Sequence, residues 1–271
     1  GPGRGVRENL GFEGLALARD RRHLFAGIEN ALAQDGPVAD AGVPSPARIL
    51  RFALDGTSRP AEFVYVVESV TPAPPNAEAF RVNGLSDLLP VGADRLLVLE
   101  RQFVAGLGNA VRLYDVSLEG ATDVSSLESL HGTSFVPAKK ALVLDLAEVG
   151  IPLENYEGMT FGPRLPDGRD TLVLVSDDNF NPDQEATTFL VFAVDETPAT
   201  IARIQGPGHR SPLEGSWVFG VPGVVTAVDR DPRTTGFYLE SSRPDGDPAT
   251  SEGVFVLHPG SAALALPVSS P

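Results

Sequence analysis

One motif recurs four times along this chain: a short apolar strand closing on a carboxylate, a polar loop, and a second apolar strand. Recurrence at intervals of tens of residues specifies an array of similar small units rather than a single winding. The clearest copy opens with Asn155-Tyr156-Glu157-Gly158-Met159-Thr160 and turns at Asp167-Gly168-Arg169. It then climbs Leu172-Val173-Leu174-Val175 to Ser176-Asp177-Asp178-Asn179-Phe180 and returns along Phe189-Leu190-Val191-Phe192-Ala193-Val194. An earlier copy opens with Gly11-Phe12-Glu13-Gly14-Leu15-Ala16, rises through His23-Leu24-Phe25-Ala26-Gly27-Ile28 to Glu29-Asn30, and returns along Arg48-Ile49-Leu50-Arg51-Phe52. Weaker copies start at Gly84-Leu85-Ser86-Asp87-Leu88, leading to Leu97-Val98-Leu99-Glu100-Arg101, and at Gly236-Phe237-Tyr238-Leu239-Glu240. The strand-end acids are then Glu29, Glu100, Asp177 and Glu240, at separations of 71, 77 and 63 residues. Similar but unequal spacing predicts a fixed core carrying loops of variable length.

The apolar runs last five to eight residues, are rich in Val, Leu, Phe and Tyr, and are bounded by Gly, Pro, Asp or Asn, which is the pattern of buried strands. No stretch sustains a helical period. With 28 Gly and 24 Pro among 271 residues, the chain carries the punctuation that many tight turns require. Three to four strands per repeat is the number a propeller blade uses, so the predicted fold is all-β, a β-propeller-like domain of short antiparallel four-stranded blades spanning residues 1–271. A two-sheet sandwich is the rival, but it does not naturally put a carboxylate at the same strand end in each repeat. The first repeat begins almost at Gly1, which predicts an amino terminus that is processed or incomplete.

Thirty-six acidic against 21 basic residues leave a formal charge of −15, and the only lysines are Lys139 and Lys140. A nucleic-acid surface is not expected on this count, since phosphate neutralisation needs clustered Lys and Arg. Solubilising surface accounts for much of the acidity, and some of it is available for divalent cations. The absence of cysteine removes disulfides, thiolate metal sites and thiol nucleophiles. No apolar run approaches the roughly 18 residues of a membrane span. His23, His131, His209 and His258 show no ligand spacing, no Gly-x-Ser-x-Gly elbow is present, and the single Trp217 reads as packing.

The ordered blocks 155–194, 11–16 and 97–101 resemble the family called "esterase-like activity of phytase". Ser176-Asp177-Asp178-Asn179-Phe180 is the most specific of them. The family's acidic tetrad more usually has Asn where Asp178 stands, and the portion expected ahead of Gly11 is missing. The resemblance implies a propeller-like domain, exported by bacteria to the periplasm or beyond, with hydrolase activity on phosphoric or carboxylic esters.

The residues themselves point to oxygen-ligand chemistry. Calcium takes six to eight oxygens, and Asp177, Asp178 and Asn179 offer them from one loop with Glu157 in the same repeat. If strand-end acids converge, Glu13, Glu29, Glu100, Glu157 and Asp177 form a pocket whose mutual repulsion a cation relieves. The expected metal ligands are therefore Glu13, Glu29, Glu157, Asp177, Asp178 and Asn179, and the expected catalytic residues Glu157, Asp177, Glu100 and Arg101. In that scheme one acid serves as general base and Arg101 meets the oxygens of a small anionic or ester substrate. Plainer readings stand beside this one: Glu13-Gly14 and Glu157-Gly158 also suit turns, and the loop at Asp177 also suits an Asx turn. Function stays open between a calcium-dependent ester or phosphoester hydrolase, a lactonase-type hydrolase and a non-catalytic binding propeller, each taken to be monomeric.

Overall fold

Strand formation follows the apolar runs closely, and the computed structural model describes residues 3–56, 59–180, 187–194, 200–213, 221–231 and 234–257. Trp217, His258 and residues 181–185 lie outside them. The first sheet contains β1 (Phe12–Leu17), β2 (His23–Ile28), β3 (Ser45–Ala53) and β4 (Ala61–Val67), in that spatial order. The second repeats the plan with β5 (Arg81–Pro90), β6 (Arg95–Val104), β7 (Gly108–Ser117) and β8 (Lys139–Asp145). A third consists of β9 (Tyr156–Gly162), β10 (Asp170–Ser176) and β11 (Phe189–Val194), and a fourth of β12 (Val224–Asp229), β13 (Gly236–Glu240) and β14 (Gly253–Leu257). Among the described residues there are four antiparallel sheets of three to four strands, each joined in sequence order, and almost no helix, which makes the fold all-β.

The chain divides into two compact units, Gly1–Ala193 and Val194–Pro271. In the first, Phe25, Ile49 and Tyr65 of the first sheet pack with Leu85, Leu88 and Val98 of the second in one continuous core. Full burial of a Phe or Leu side chain stabilises by about 1.5–3 kcal/mol, so this layer holds the two sheets together. The first strands of neighbouring sheets run beside one another, β1 against β5 and β5 against β9. Gly14 allows the backbones of β1 and β5 to approach closely, because a Cβ there would lie 2.9 Å from the backbone nitrogen of Leu88. Two polar ties reinforce the contact. The Leu85 N–H donates to the Glu29 carbonyl at 3.0 Å, and the Met159 N–H donates to the Asp87 carboxylate at 2.7 Å.

A further regularity lies in the strand register. The first strand of every sheet bulges once against its partner, at Glu13 in β1, Ser86 in β5, Glu157 in β9 and Thr226 in β12. A bulge inserts one residue against none on the partner and re-aims its side chain. The residues flanking each bulge pair with Ile28, Glu100, Ser176 and Leu239. The positions one step further along are consequently Glu29, Arg101, Asp177 and Glu240. In the second sheet the counterpart of Glu29 and Asp177 is thus Arg101, one residue beyond the acid picked out by sequence alignment of the repeats.

The second unit is built round its own sheet. Thr200 caps the short helix α1 (Ile201–Gln205) by accepting from the Arg203 N–H, and Gln205 donates its side-chain amide to the Gly253 carbonyl at 2.8 Å. Tyr238 and Phe255 meet across β13 and β14 with ring centroids 4.9 Å apart.

Candidate functional site

The three bulges of the first unit open onto one cavity of about 760 Å³, and Glu13, Ser86 and Glu157 all line it. Glu29 and Arg101 face the same space, together with Asn30, Asn155 and Asn179. Backbone geometry therefore gathers side chains separated by well over 100 residues of sequence. The Glu13-Gly14 and Glu157-Gly158 pairs belong to strands rather than turns, and their glutamates are delivered by the extra bulge residue.

Arg101 is the cation within this group of acids. Its terminal nitrogen bonds Glu157 Oε1 at 2.5 Å, a charge-assisted contact with both side chains mostly covered. Glu29 lies deeper, 8% exposed, over Gly84, where a Cβ would come within 2.7 Å of Glu29 Oε1. Only glycine leaves that carboxylate its room. Burial raises the Glu29 carboxyl to about 7; nearby Arg101 opposes the rise, and Glu13 and Glu157 add to it. The Glu13 carboxyl is raised too, by burial first and by Glu157 second. A carboxylic acid that titrates near neutrality inside a cavity is suited to accept and return a proton.

Two donors in the cavity wall have no acceptor. Arg101 Nε and Asn155 Nδ2 are buried and make no hydrogen bond within the protein, although Asn155 is only 7% exposed. Buried polar groups are ordinarily paired, so these two donors leave unmet hydrogen-bonding capacity behind the cavity wall. Part of the lining is apolar: Phe80 and Phe103 stand with centroids 6.2 Å apart, and Leu10 and Val82 also line the cavity. The cavity thus combines an acid raised toward neutrality, a guanidinium paired with Glu157 and an aromatic surface.

The remaining expected site residues have other surroundings. Glu100 points away from the cavity, where its carboxylate accepts from Tyr65 Oη at 2.6 Å, Lys140 Nζ at 2.8 Å, Asn83 Nδ2 at 3.0 Å and the Glu68 N–H at 3.1 Å. Those four donors occupy its lone pairs. Lys140 also binds Glu68 at 2.9 Å and lies over the Tyr114 ring, so it is part of a buried network rather than solvated surface. Asp177 and Asp178 form Asx turns, accepting from the Asn179 and Phe180 N–H groups at 2.9 Å, and neither lines the cavity. Asn179 does line it, held with φ at 49° by that turn.

Sequence reading did not single out Asn155, Ser86 or Gly84. Ser86 carried a usable signal, since it falls at the glutamate of the Glu-Gly position when the repeats are superposed, and Asn155 lies two residues before that position in its own repeat. Gly84 carried none, because its importance is the space it leaves for a side chain from another sheet.

Among the described residues no helix is long and apolar enough to cross a membrane. No curated protein and no solved structure was found to match the chain. The family model described as "Phytase-like: Esterase-like activity of phytase" matches residues 1–180, a stretch that includes every residue lining the cavity. Two thirds of the sequence falls under that model, and the chain belongs to the phytase-like family.

Proposed function

We propose that the cavity is the active site of an ester or phosphoester hydrolase in which Glu29 is the general base. Ionised Glu29 takes a proton from a water molecule as the water oxygen adds to the acyl carbon or phosphorus. The oxygen that gains charge is received by the Arg101 guanidinium, which Glu157 orients through the terminal nitrogen on the same edge as Nε. When the bond to the leaving group breaks, the proton held by Glu29 departs with the alcohol. One observation carries this reading: an acid titrating near neutrality shares a cavity with the Arg101 guanidinium.

The test is the pH dependence of hydrolysis of p-nitrophenyl acetate and p-nitrophenyl phosphate. For a base titrating at about 7, kcat/KM rises through neutrality to a plateau. Glu29→Gln lowers the rate by about 10²–10⁴-fold, and Arg101→Gln by about 10²–10³-fold. Rates no higher than background, or a Glu29→Gln rate equal to that of the parent protein, eliminate the reading.

Calcium is a second reading of the same cavity, favoured by its donor types. Glu13, Glu29 and Glu157 offer carboxylate oxygens and Asn30, Asn155 and Asn179 amide oxygens, the hard ligands that calcium takes. Their arrangement does not fit a ready-made cage. Among the described residues no three acidic or histidine side chains stand close enough to hold an ion, and Arg101 balances charge among the glutamates. Thermal unfolding in calcium and in EGTA separates the readings: a midpoint raised by calcium and lost in Glu13→Gln supports an ion site, and equal midpoints remove it.

We further infer that the first three sheets are successive blades of a propeller-like arrangement, a reading supported by their meander order and adjacent first strands. Export to the periplasm or beyond is inferred from family membership, and monomeric behaviour from the sequence alone. Fractionation of producing cells checks the first, and sedimentation the second.

A further inference from the structure

The cavity wall carries more negative charge than its own cations balance. The charged residues that line it are Glu8, Glu13, Glu29, Glu157, Arg81 and Arg101. Arg81 is paired with Asp40, which does not line the cavity, and Arg101 is paired with Glu157. The carboxylates of Glu8, Glu13 and Glu29 accept no hydrogen bond and enter no ion pair among the described residues. Glu8 and Glu13 are exposed, so water serves them, whereas Glu29 is 8% exposed. A carboxylate covered to that degree is ordinarily paired or hydrogen-bonded. The free acceptors of Glu29, set in the wall of a cavity of about 760 Å³, therefore point to a ligand that brings donors or positive charge.

The layout of the acids suits an extended organic cation. Glu13, Glu29 and Glu157 act electrostatically on one another around the single guanidinium of Arg101. Among the described residues no three acidic side chains stand close enough to hold a metal ion. A protonated amine or guanidinium needs no closed cage, because its several N–H groups reach separate acceptors. Strand register gives the scale. The Glu29 N–H donates to the Gly11 carbonyl at 2.8 Å, and Glu13 follows two residues later, about 7 Å along the strand. In the second sheet Arg101 pairs with Gly84 and Phe103 with Val82, a step of the same length, and Phe80 stands against Phe103. Aromatic faces favour both a methylene arm and a cation at its end.

Resting on the hydrolytic reading, we propose that the substrate is a carboxylic ester bearing an ammonium or guanidinium group, separated from the reacting carbonyl by a short aliphatic arm. The carbonyl lies between Glu29 and Arg101, the cation is met by Glu13 and Glu8, and the arm lies along Phe80 and Phe103. At longer range the formal charge of −15 draws cations toward the chain. The chemistry balances without another reactant. The water oxygen bonds to the acyl carbon, the acyl–oxygen bond breaks, one proton passes through Glu29 to the alcohol, and the acid product leaves with its cation unchanged.

The experiment uses the whole chain in EGTA and two ligands that differ only at the end of the arm, Nα-acetyl-lysine N-methylamide and Nα-acetyl-norleucine N-methylamide. Ligand-observed NMR at pH 8 is expected to give a Kd for the lysine amide about tenfold or more below that for the norleucine amide. Glu13→Gln and Glu8→Gln each weaken the lysine amide severalfold and leave the norleucine amide unchanged. Both positions are exposed, and circular dichroism checks that the variants fold. Equal binding of the two amides, lysine-amide binding indifferent to both substitutions, or no binding of either overturns the proposal. Turnover of the corresponding methyl esters is the separate arm, with kcat/KM expected to favour the lysine ester by a similar factor. Selective binding with neither ester hydrolysed removes the hydrolase and leaves the cation site. Both esters hydrolysed at equal kcat/KM removes the selectivity and leaves the hydrolase.

Discussion

Glu29 shows how one residue can be placed at the expense of stability. Its carboxyl is raised from 4.5 to about 7 by burial, so the folded chain holds that proton more tightly than the unfolded chain does. The sign follows: the stabilising contribution is complete below about pH 4.5 and is lost as pH rises through about 7. Urea unfolding between pH 5 and pH 8 is expected to show a fall on the order of 2 kcal/mol in the unfolding free energy. Glu29→Gln flattens that slope and raises stability at the alkaline end, and an unchanged slope in the variant shows that the burial cost has been misassigned. Gly84→Ala acts on the same group from the other side. Its Cβ displaces the Glu29 carboxylate toward water, so the limb of the hydrolysis profile near neutrality shifts to lower pH.

Single strands decide which side chains enter the cavity. Each first strand spends one residue on a bulge, and the side chains on either side of β6 are sorted by a difference of one position: Arg101 enters the cavity and Glu100 enters the sheet. Glu100 and Lys140 then join β6 to β8 through a mostly buried ion pair backed by Tyr65 and Asn83. Removing one partner strands a charge. Lys140→Met is expected to lower stability by about 2–3 kcal/mol, somewhat below the usual cost because Glu68 and solvent reach the lysine. Chemical denaturation measures it, and a loss under about 0.5 kcal/mol would show the network to be a surface feature. Gly14→Ala tests the packing of β1 on β5. The added methyl meets Leu88 backbone, and a cost of about 1–3 kcal/mol is expected from the forced shift.

At the scale of the molecule, every residue lining the cavity lies between Glu8 and Asn179, inside the unit Gly1–Ala193. A chain ending after residue 193 is therefore expected to keep the ester hydrolysis of the whole protein, with kcat/KM measured on both as the check. Loss of activity in a truncated chain that still shows the circular dichroism of folded strands places an essential group in the second unit. Much of this was legible in the sequence. Runs of five to eight apolar residues between Gly, Pro and Asp determine strands and turns locally, because pleat and turn chemistry depend on neighbours a few residues away. The recurring acids marked Glu13, Glu29 and Glu157, and Arg101 stood out beside one of them. The tertiary structure alone decided that Arg101 rather than Glu100 is the counterpart of Glu29, because a bulge is a property of two paired strands and a shift of one residue exchanges the faces of a sheet. It alone decided that Asp177 closes a turn while Asn155, unmarked by charge, keeps an unpaired donor behind the cavity wall. Which oxygen or nitrogen is left without a partner depends on every element packed around it, and no local pattern of residues encodes that.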